Sequence, residues 1–209
     1  MSDIKNIEQH YSLDERPFLE KVRGFCQLVD DRYSPYLTDF LNPREIQIVE
    51  ELAHYYNLKF FVSSTLESEE YGRVILAPEY YELEEDDFEI KRLEISYARQ
   101  FNKLTHPKVL GALINQLGLD RQVFGDIILD EEGRVQFYIA SHLASYAIMT
   151  ITKIGNVSVT LKEVSKDDWI SNQENYSQFF VLLSSMRLDN VLATVLNLSR
   201  SNALKLIAS

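Results

Sequence analysis

Apolar residues near the start of the chain recur with the period of a helix. Four of them follow Pro17 at steps of three or four positions: Phe18, Val22, Phe25 and Val29. This spacing predicts an amphipathic helix, with Ser12 or Asp14 as its cap and Pro17 in its first turn.

A second helix is predicted over "NPREIQIVEELAHYYN". Asn42 is expected to cap it, Pro43 occupies its first position, and Glu45 completes a capping box. The stretches "LKFFVSSTL" and "GRVILAP" have the residue types of strands and are joined across the polar "ESEEY". These elements predict a small α/β domain over residues 1–82.

Residues 90–165 alternate between strand and helix patterns. "EIKRLEISYA" predicts a strand, and "THPKVLGALINQLG" predicts a helix capped by Thr105. "FGDIILDEEGRVQFYIA" predicts a hairpin that turns at Asp130–Gly133, and "SHLASYAIMTITKIG" predicts a helix capped by Ser141 and ended by Gly155. "NVSVTLKEV" predicts the last strand. The order β-α-β-β-α-β is ferredoxin-like, so we expect a four-stranded antiparallel sheet backed by two helices over residues 83–168, in a chain of the α+β class.

The alternation along these strands distinguishes the two faces of the sheet. Six residues are expected to face the helices: Val135, Phe137, Ile139, Val157, Val159 and Leu161. Six are expected to face away: Arg134, Gln136, Tyr138, Ser158, Thr160 and Lys162. RNA-recognition motifs share this order and stack bases on the outer face. Because paired aromatics are missing here, the favoured interpretation of Tyr138 is a partly buried sheet residue, with base stacking as the alternative.

The end of the chain predicts two short helices within a segment over residues 176–209. Leu188, Val191, Leu192 and Val195 share one face of the first, and Ser199 caps the second, whose apolar side is Ala203, Leu204 and Ile207. Arg187 and Arg200 lie near the helix starts, where backbone N–H groups favour phosphate, and Lys205 adds a third positive charge. The alternative is a helical hairpin with ordinary surface arginines, and spacing alone does not decide between them.

The charge of the chain is unevenly distributed. The net charge is −11; residues 1–90 hold 8 Lys+Arg and 21 Asp+Glu, which gives −13, and residues 91–209 hold 13 and 11, which gives +2. Because dissolved salt screens the electrostatic field of a charged region beyond roughly 10 Å, an acidic first half does not exclude a polyanion site in the second half.

Composition excludes several classes of protein. The chain has no run of eighteen apolar residues for a membrane span and no secretory h-region. One cysteine and four histidines argue against a disulfide and a zinc site. The acid-rich "YELEEDDFE" lacks calcium-loop spacing and is expected to be a solvated connection rather than a metal site. The cytoplasm is the expected compartment.

The last segment resembles the alpha-L RNA-binding motif of small-subunit ribosomal protein four. That motif has the pattern R-L-D-x-x-L, then S-R-x-x-A-x-x-L-I, then a glycine-containing strand turn. The matching residues are Arg187, Leu188, Asp189, Leu192, Ser199, Arg200, Ala203, Leu206 and Ile207. The strand turn is missing after Ser209, so the natural product is expected to continue by about 40–50 residues. Without it, the helix pair is expected to be mobile or held by another surface.

The rest of the chain resembles the YlmH family of bacterial RNA-binding proteins. The segment "LTHPKVLGALINQLGLDRQVFGDIIL" is similar to that family's T-H-R-D-x-L-G-x-L-x-x-L-G-I-x-R-x-x-x-G-D-I, with Pro107 and Lys108 in place of Arg-Asp. The resemblance implies binding of ribosomal or transfer RNA at the large ribosomal subunit. Members of the family are associated with rescue of stalled ribosomes and with cell division.

No catalytic constellation is recognised in the sequence. It has no G-x-G-x-x-G, P-loop or G-x-S-x-G motif, and "RLD" is not followed by the residues of a pseudouridine synthase. His106 could act as a base beside Lys108 and Arg121, although a backbone-bonded helix start is favoured.

We therefore predict a non-catalytic RNA-binding protein without cofactor or metal, which binds RNA and the ribosome. The predicted RNA-binding residues are Lys103, His106, Lys108, Arg121, Arg134, Tyr138, Lys162, Arg187, Ser199, Arg200 and Lys205. The alternative is an adaptor linked to division proteins, since an acidic first domain suits a basic protein partner.

Overall fold

The computed structural model describes residues 11–66, 70–170 and 180–208, with only the backbone of residues 65, 66, 85 and 208. The chain forms two compact units, Met1–Asn172 and Gln173–Ser209. The helices are α1 (Arg16–Arg32), α2 (Pro43–Tyr55), α3 (His106–Leu117), α4 (Ser141–Thr150), α5 (Leu188–Val195) and α6 (Arg200–Ala208). The strands are β1 (Tyr36–Leu41), β2 (Lys59–Val62), β3 (Gly72–Ala77), β4 (Ile90–Tyr97), β5 (Phe124–Leu129), β6 (Val135–Ala140), β7 (Lys153–Ile154) and β8 (Val157–Glu163). Residues 67–69 of the predicted strand connection, and residues 176–179 and 209 of the predicted third segment, lie outside the described residues.

The N-terminal part is a three-stranded antiparallel sheet, in the order β1-β3-β2, with α1 and α2 against one face. The predicted capping box of α2 is confirmed: Asn42 Oδ1 accepts from the Glu45 N–H at 2.9 Å, and Glu45 accepts from the Asn42 N–H at 2.9 Å. Helix α1 begins after Glu15 without a side-chain cap. The predicted caps Ser12 and Asp14 were therefore wrong.

Strand β1 was not predicted, because its sequence "YLTDFL" does not alternate cleanly. Its pairing with β3 shifts register between Leu37 and Phe40, which is a bulge. At the bulge, Thr38 is buried and its hydroxyl accepts from the Val74 N–H at 2.9 Å, in place of a backbone partner. The bulge allows Phe40 to pack against the central domain while Leu41 remains in the N-terminal core.

The central part has the predicted β-α-β-β-α-β order and a sheet in the order β5-β6-β4-β8-β7. Val135, Phe137 and Ile139 are fully buried in the core shared with α3 and α4, so the predicted register is confirmed. The sheet has a fifth strand that the sequence did not predict. Helix α4 begins after Ala140 without a side-chain cap, so the predicted cap Ser141 was wrong. The helix ends at Thr150 rather than at Gly155: Ile151 is extended and buried in the core, and the Thr152 carbonyl accepts from the Val159 N–H at 3.0 Å. Gly155, at φ 58°, then forms the turn into β8.

The middle of the sheet face opposite the helices is covered, which corrects the expectation of a fully open outer face. Residues 164–170, named the strap here, follow β8 and cross the middle of the sheet. Gln136 donates to the Asp168 carbonyl at 3.0 Å and accepts from the Ile170 N–H at 3.1 Å. Arg92 donates to Tyr138 Oη at 2.8 Å and to the carbonyl of Ile170.

The ring of Tyr138 is buried by the strap and by the N-terminal part. The side chain is 3% exposed and packs with Phe40 and Ile170. Trp169 contacts it edge-on, with 6.1 Å between ring centroids, and the Arg92 guanidinium lies 4.8 Å from the Tyr138 centroid. No base can stack on this ring in the folded protein, so the predicted RNA contact of Tyr138 is corrected to a packing role.

The N-terminal and central parts pack into one unit through the first residues of β5 and the connection just before it. Asp126 accepts from the N–H groups of Glu70 and Tyr71 at 2.8 and 3.1 Å. The Arg121 guanidinium lies 4.2 Å from the centroid of the Tyr71 ring. These contacts join residues that are 50 to 56 positions apart, and they explain why the two predicted domains belong to a single compact unit.

The second unit contains the predicted helix pair. Asn197, at φ 52°, ends α5, and the Leu198 N–H donates to the Ala193 carbonyl at 2.8 Å. The Ser199 hydroxyl accepts from the Asn202 N–H at 3.3 Å and caps α6 as predicted. The predicted apolar face of α5 is only partly confirmed: Leu188 is 58% exposed, whereas Asp189 on the neighbouring position is buried.

Candidate nucleic-acid interface

The helices of the central domain, and the chain around them, carry basic residues without acidic ones. Residues 95–119 and 133–162 contain α3, α4 and the β7–β8 turn and hold no aspartate or glutamate, in a chain with 32 acidic residues. Their lysines and arginines are Arg99, Lys103, Lys108, Arg134, Lys153 and Lys162. Because fields are screened beyond roughly 10 Å, this local charge rather than the total of −11 governs the approach of a polyanion.

An open cleft of about 530 Å³ lies between α3 and the β7–β8 turn. The buried side chains of Leu104 and Ile154 contribute an apolar lining. Gly111 and Ala112 of α3 line it with backbone and a single methyl group. A Cβ at Gly111 would have no atom within 4 Å outside its immediate helix backbone and chain neighbours, so the cleft is open along this side of α3.

Two predicted RNA-binding residues, Lys103 and Lys108, lie at this cleft. Both are exposed, and neither forms an ion pair with a residue in the described part of the chain. The structure thus places two cations, one from the loop before α3 and one from α3 itself, beside the apolar lining of the cleft. His106, which begins α3, is also exposed.

Two other predicted RNA-binding residues of the central domain have protein partners. The guanidinium of Arg121 lies over the Tyr71 ring and donates to the Phe124 carbonyl. Arg134 donates to Glu94 at 2.7 Å. Burial opposes ionisation of Glu94, but the hydrogen bonds from Arg134 and Gln136 outweigh it and lower its pKa. We therefore give Arg121 and Arg134 structural roles.

Lys162 keeps the outward orientation that the sequence predicted. It is exposed on β8, at the edge of the sheet that the strap leaves open, together with Ser158 and Thr160. The open part of the outer face is therefore a narrow polar strip with one cation. It is not the broad aromatic surface on which RNA-recognition motifs bind bases.

Arg187 and Arg200 share one carboxylate in the second unit. Arg187 Nε lies 3.1 Å from Asp189 Oδ1, and Arg200 Nε lies 2.7 Å from Asp189 Oδ2. Hydrogen bonds from Arg200 and Arg187 lower the pKa of Asp189 to about 2. The two arginines are mostly exposed, and each contacts Asp189 through its Nε atom. The terminal Nη1 and Nη2 groups of both guanidiniums are therefore not used in these two contacts.

Ser199 and Lys205 are the remaining predicted residues of the helix pair. The Ser199 hydroxyl is occupied by the cap of α6 and by a 3.0 Å contact with Ser201. Lys205 is exposed in the last turn of α6. Ser199 thus positions the start of α6, and Lys205 is available to a ligand.

Comparison with known proteins identifies the family. Residues 84–168 match a family model described as "Putative RNA-binding domain in YlmH". The chain is 32% identical over 204 residues to the "Ribosome-associated protein quality control protein P2" of Bacillus subtilis (strain 168), with 98% of this chain and 79% of that protein covered. The chain belongs to the YlmH family. The solved structure of the "Cell division protein ylmH from Streptococcus pneumoniae" is 41% identical with a TM-score of 0.69, and the match covers 78% of this chain and 98% of that one.

The YlmH resemblance noted from the sequence is therefore confirmed, and the structure gives its motif a physical role. Gly125 and Asp126, which match the G-D of that motif, hold the N-terminal part against the central domain. Burial raises the pKa of Asp126 even though the Tyr71 and Glu70 N–H groups oppose the rise. These residues stabilise the packing of the N-terminal part against the central domain.

The sequence interpretation missed the polar residues of the cleft, Asn115, Gln116 and Asn156. The signal that could have found them is the acid-free stretch around α3, in which an Asn-Gln pair follows the apolar run Val109–Ile114 near the end of the helix. Within the described ranges, no cluster of three or more His, Cys, Asp or Glu side chains could hold a metal ion. Among the same residues, no helix is long and apolar enough to cross a membrane.

Proposed function

We propose that this YlmH-family protein binds ribosomal or transfer RNA at the large ribosomal subunit and acts there without catalysis. The observation that carries the proposal is the acid-free, basic helix side of the central domain, with Lys103 and Lys108 unpaired within the described part of the chain. The name of the Bacillus subtilis relative describes a ribosome-associated quality control protein. That name supports the ribosome as the site of action.

The arginine pair of the second unit supports the same proposal. A buried carboxylate orients the Nε atoms of Arg187 and Arg200, which lie at the starts of two helices. Helix starts favour phosphate through their unpaired N–H groups and dipole. Because Asp189 fixes both guanidiniums, less entropy is lost when they bind a phosphate backbone.

The test is retention of RNA across a salt series, together with cosedimentation with isolated large ribosomal subunits. The unaltered chain is expected to bind transfer RNA or ribosomal RNA at low salt and to lose affinity steeply as counterions are released. The double variant Lys103→Gln/Lys108→Gln should lower the slope of log K against log salt by roughly 1.5, the value for two phosphate contacts.

The matched control is Arg16→Gln/Arg32→Gln, which removes two exposed cations from α1. This control should keep the slope of the unaltered chain. The proposal is wrong if the unaltered chain retains no RNA at low salt and does not sediment with large subunits. The division alternative, which the name of the streptococcal relative mentions, predicts that result, because an adaptor for proteins has no RNA affinity to lose.

A further inference from the structure

We propose that the cleft between α3 and the β7–β8 turn binds one unstacked nucleotide of an RNA, with the base in the cleft and its phosphates beside Lys103 and Lys108. This inference rests on the proposed function and adds a specific subsite to it. Base recognition is then expected on the helix side of the central domain, and not on the outer face of the sheet, whose middle is covered by the strap.

The size and lining of the cleft suit a planar ring. Its volume of about 530 Å³ lies within the range of small-molecule sites, roughly 300–1,000 Å³. Leu104 and Ile154 present buried apolar groups, and Gly111 offers no side chain. A base can therefore lie against the backbone of α3, where a larger residue would exclude it.

The polar residues of the cleft match the edges of a base. The side chains of Asn115 and Asn156 make no hydrogen bond with any residue in the described ranges, so their amide donors and acceptors are available. Gln116 donates from Nε2 to the Lys153 carbonyl at 2.8 Å, and this bond leaves its Oε1 as an acceptor. Proteins that bind single-stranded RNA use such amides on the exposed edges of unpaired bases.

The charges around the cleft select an anionic ligand. The chain segments that line it contain Lys103 and Lys108 and no carboxylate side chain. A neutral ring alone would not require these cations, whereas a nucleotide carries its phosphate next to its base. The combination of apolar slot, amides and unpaired lysines is therefore better explained by a nucleotide than by an apolar molecule.

The experiment fills the cleft without changing its charge. Gly111→Leu places a side chain where a Cβ meets no atom within 4 Å beyond its immediate helix backbone and chain neighbours, and leucine favours a helix more than glycine does. The matched control is Gly24→Leu, a helical glycine of α1 with the same free space. Each variant is titrated with short single-stranded oligouridylate and oligoadenylate, and with inorganic polyphosphate as a polyanion without bases.

Gly111→Leu is expected to weaken binding of the oligoribonucleotides by about tenfold, as for the loss of one base's contacts. It should leave polyphosphate binding unchanged, and Gly24→Leu should leave both unchanged. A second variant, Asn156→Asp, keeps the size of an exposed turn residue but adds a negative charge at the rim. It should weaken binding of both kinds of probe.

The outcomes separate the two proposals. If the unaltered chain binds RNA but Gly111→Leu binds it equally well, the cleft is not a nucleotide site and the proposed function stands. If Gly111→Leu weakens polyphosphate and RNA binding alike, the effect is not on a base and the subsite is also wrong. If the unaltered chain binds no RNA at low salt, both proposals are overturned.

Discussion

Gly125 of β5 lies so close to the ring of Phe40 of β1 that a Cβ at position 125 would be 2.7 Å from Phe40 Cε1. The same Cβ would be 2.9 Å from Cβ of Tyr138. This approach is tighter than real Cβ atoms tolerate, so only glycine fits. It is one of the points at which the N-terminal sheet and the central sheet are in contact.

Gly125→Ala is therefore expected to destabilise the first unit by about 1–3 kcal/mol, the usual cost of forcing extra atoms into a packed core. Chemical denaturation, followed by the emission of the single tryptophan Trp169, measures this change. Gly24→Ala is the control, since its Cβ has free space, and it should raise stability by roughly 0.5–1 kcal/mol. Equal stability of Gly125→Ala and the unaltered chain would show that the two sheets do not pack closely at this point.

Tyr138→Phe tests whether this ring packs or binds RNA. The change removes the hydroxyl that accepts from buried Arg92 at 2.8 Å, and it should cost about 1–3 kcal/mol of stability because the lost bond involves a charged donor. RNA affinity and its salt slope should not change. Tyr146→Phe, at an exposed tyrosine with a 3.3 Å hydrogen bond, should change stability by less than about 0.5 kcal/mol. A loss of RNA affinity in folded Tyr138→Phe would restore the residue to the binding site.

The pKa of Asp189 is expected to report on the arginine pair. Arg200 and Arg187 lower it from 3.8 to about 2. Because the folded pKa lies below the ordinary one, the stability that this carboxylate contributes is present above about pH 4 and is lost as the pH falls through about 2. NMR titration of the side-chain carboxyl measures the pKa directly.

Arg200→Gln should raise the pKa of Asp189 toward its ordinary value, and the remaining Arg187 should keep it below that value. Arg32→Gln, in α1, should leave it unchanged. If Arg200→Gln has no effect on the titration, Arg200 and Asp189 are not in contact in solution.

The double variant Arg187→Ala/Arg200→Ala should weaken RNA binding to all sequences alike and lower the salt slope by roughly 1.5, the value for two phosphate contacts. Filter retention over a salt series measures both quantities, with Arg16→Ala/Arg32→Ala as the charge-matched control. A salt slope identical to that of the unaltered chain would show that the two arginines do not contact RNA phosphates and serve only to bind Asp189. RNA contact would then be assigned to Lys103, Lys108 and Lys162.

Local pattern was sufficient for the elements whose determinants are close in sequence. The capping box of Asn42 and Glu45 depends on residues three positions apart, and it formed as predicted. The hairpin of β5 and β6 and the inward register of Phe137 follow from alternation and a turn glycine. The resemblance of two motifs was also sufficient for the family, because the residues of each motif lie close together along the chain.

Tertiary structure alone decided which surfaces are open. Alternation assigned Gln136 and Tyr138 to the outer face, but it does not say what covers a face, and the strap and Phe40 reach that face from distant parts of the chain. Likewise, Arg187 and Arg200 were recognisable as cations near helix starts, whereas their shared carboxylate depends on how α5 packs on α6. The cleft also depends on long-range packing. Lys103 and Asn156 are more than fifty residues apart, and they line one cleft only because the β7–β8 turn lies beside α3. Sequence spacing determines local geometry, and long-range packing determines which of the resulting side chains remain accessible to a ligand.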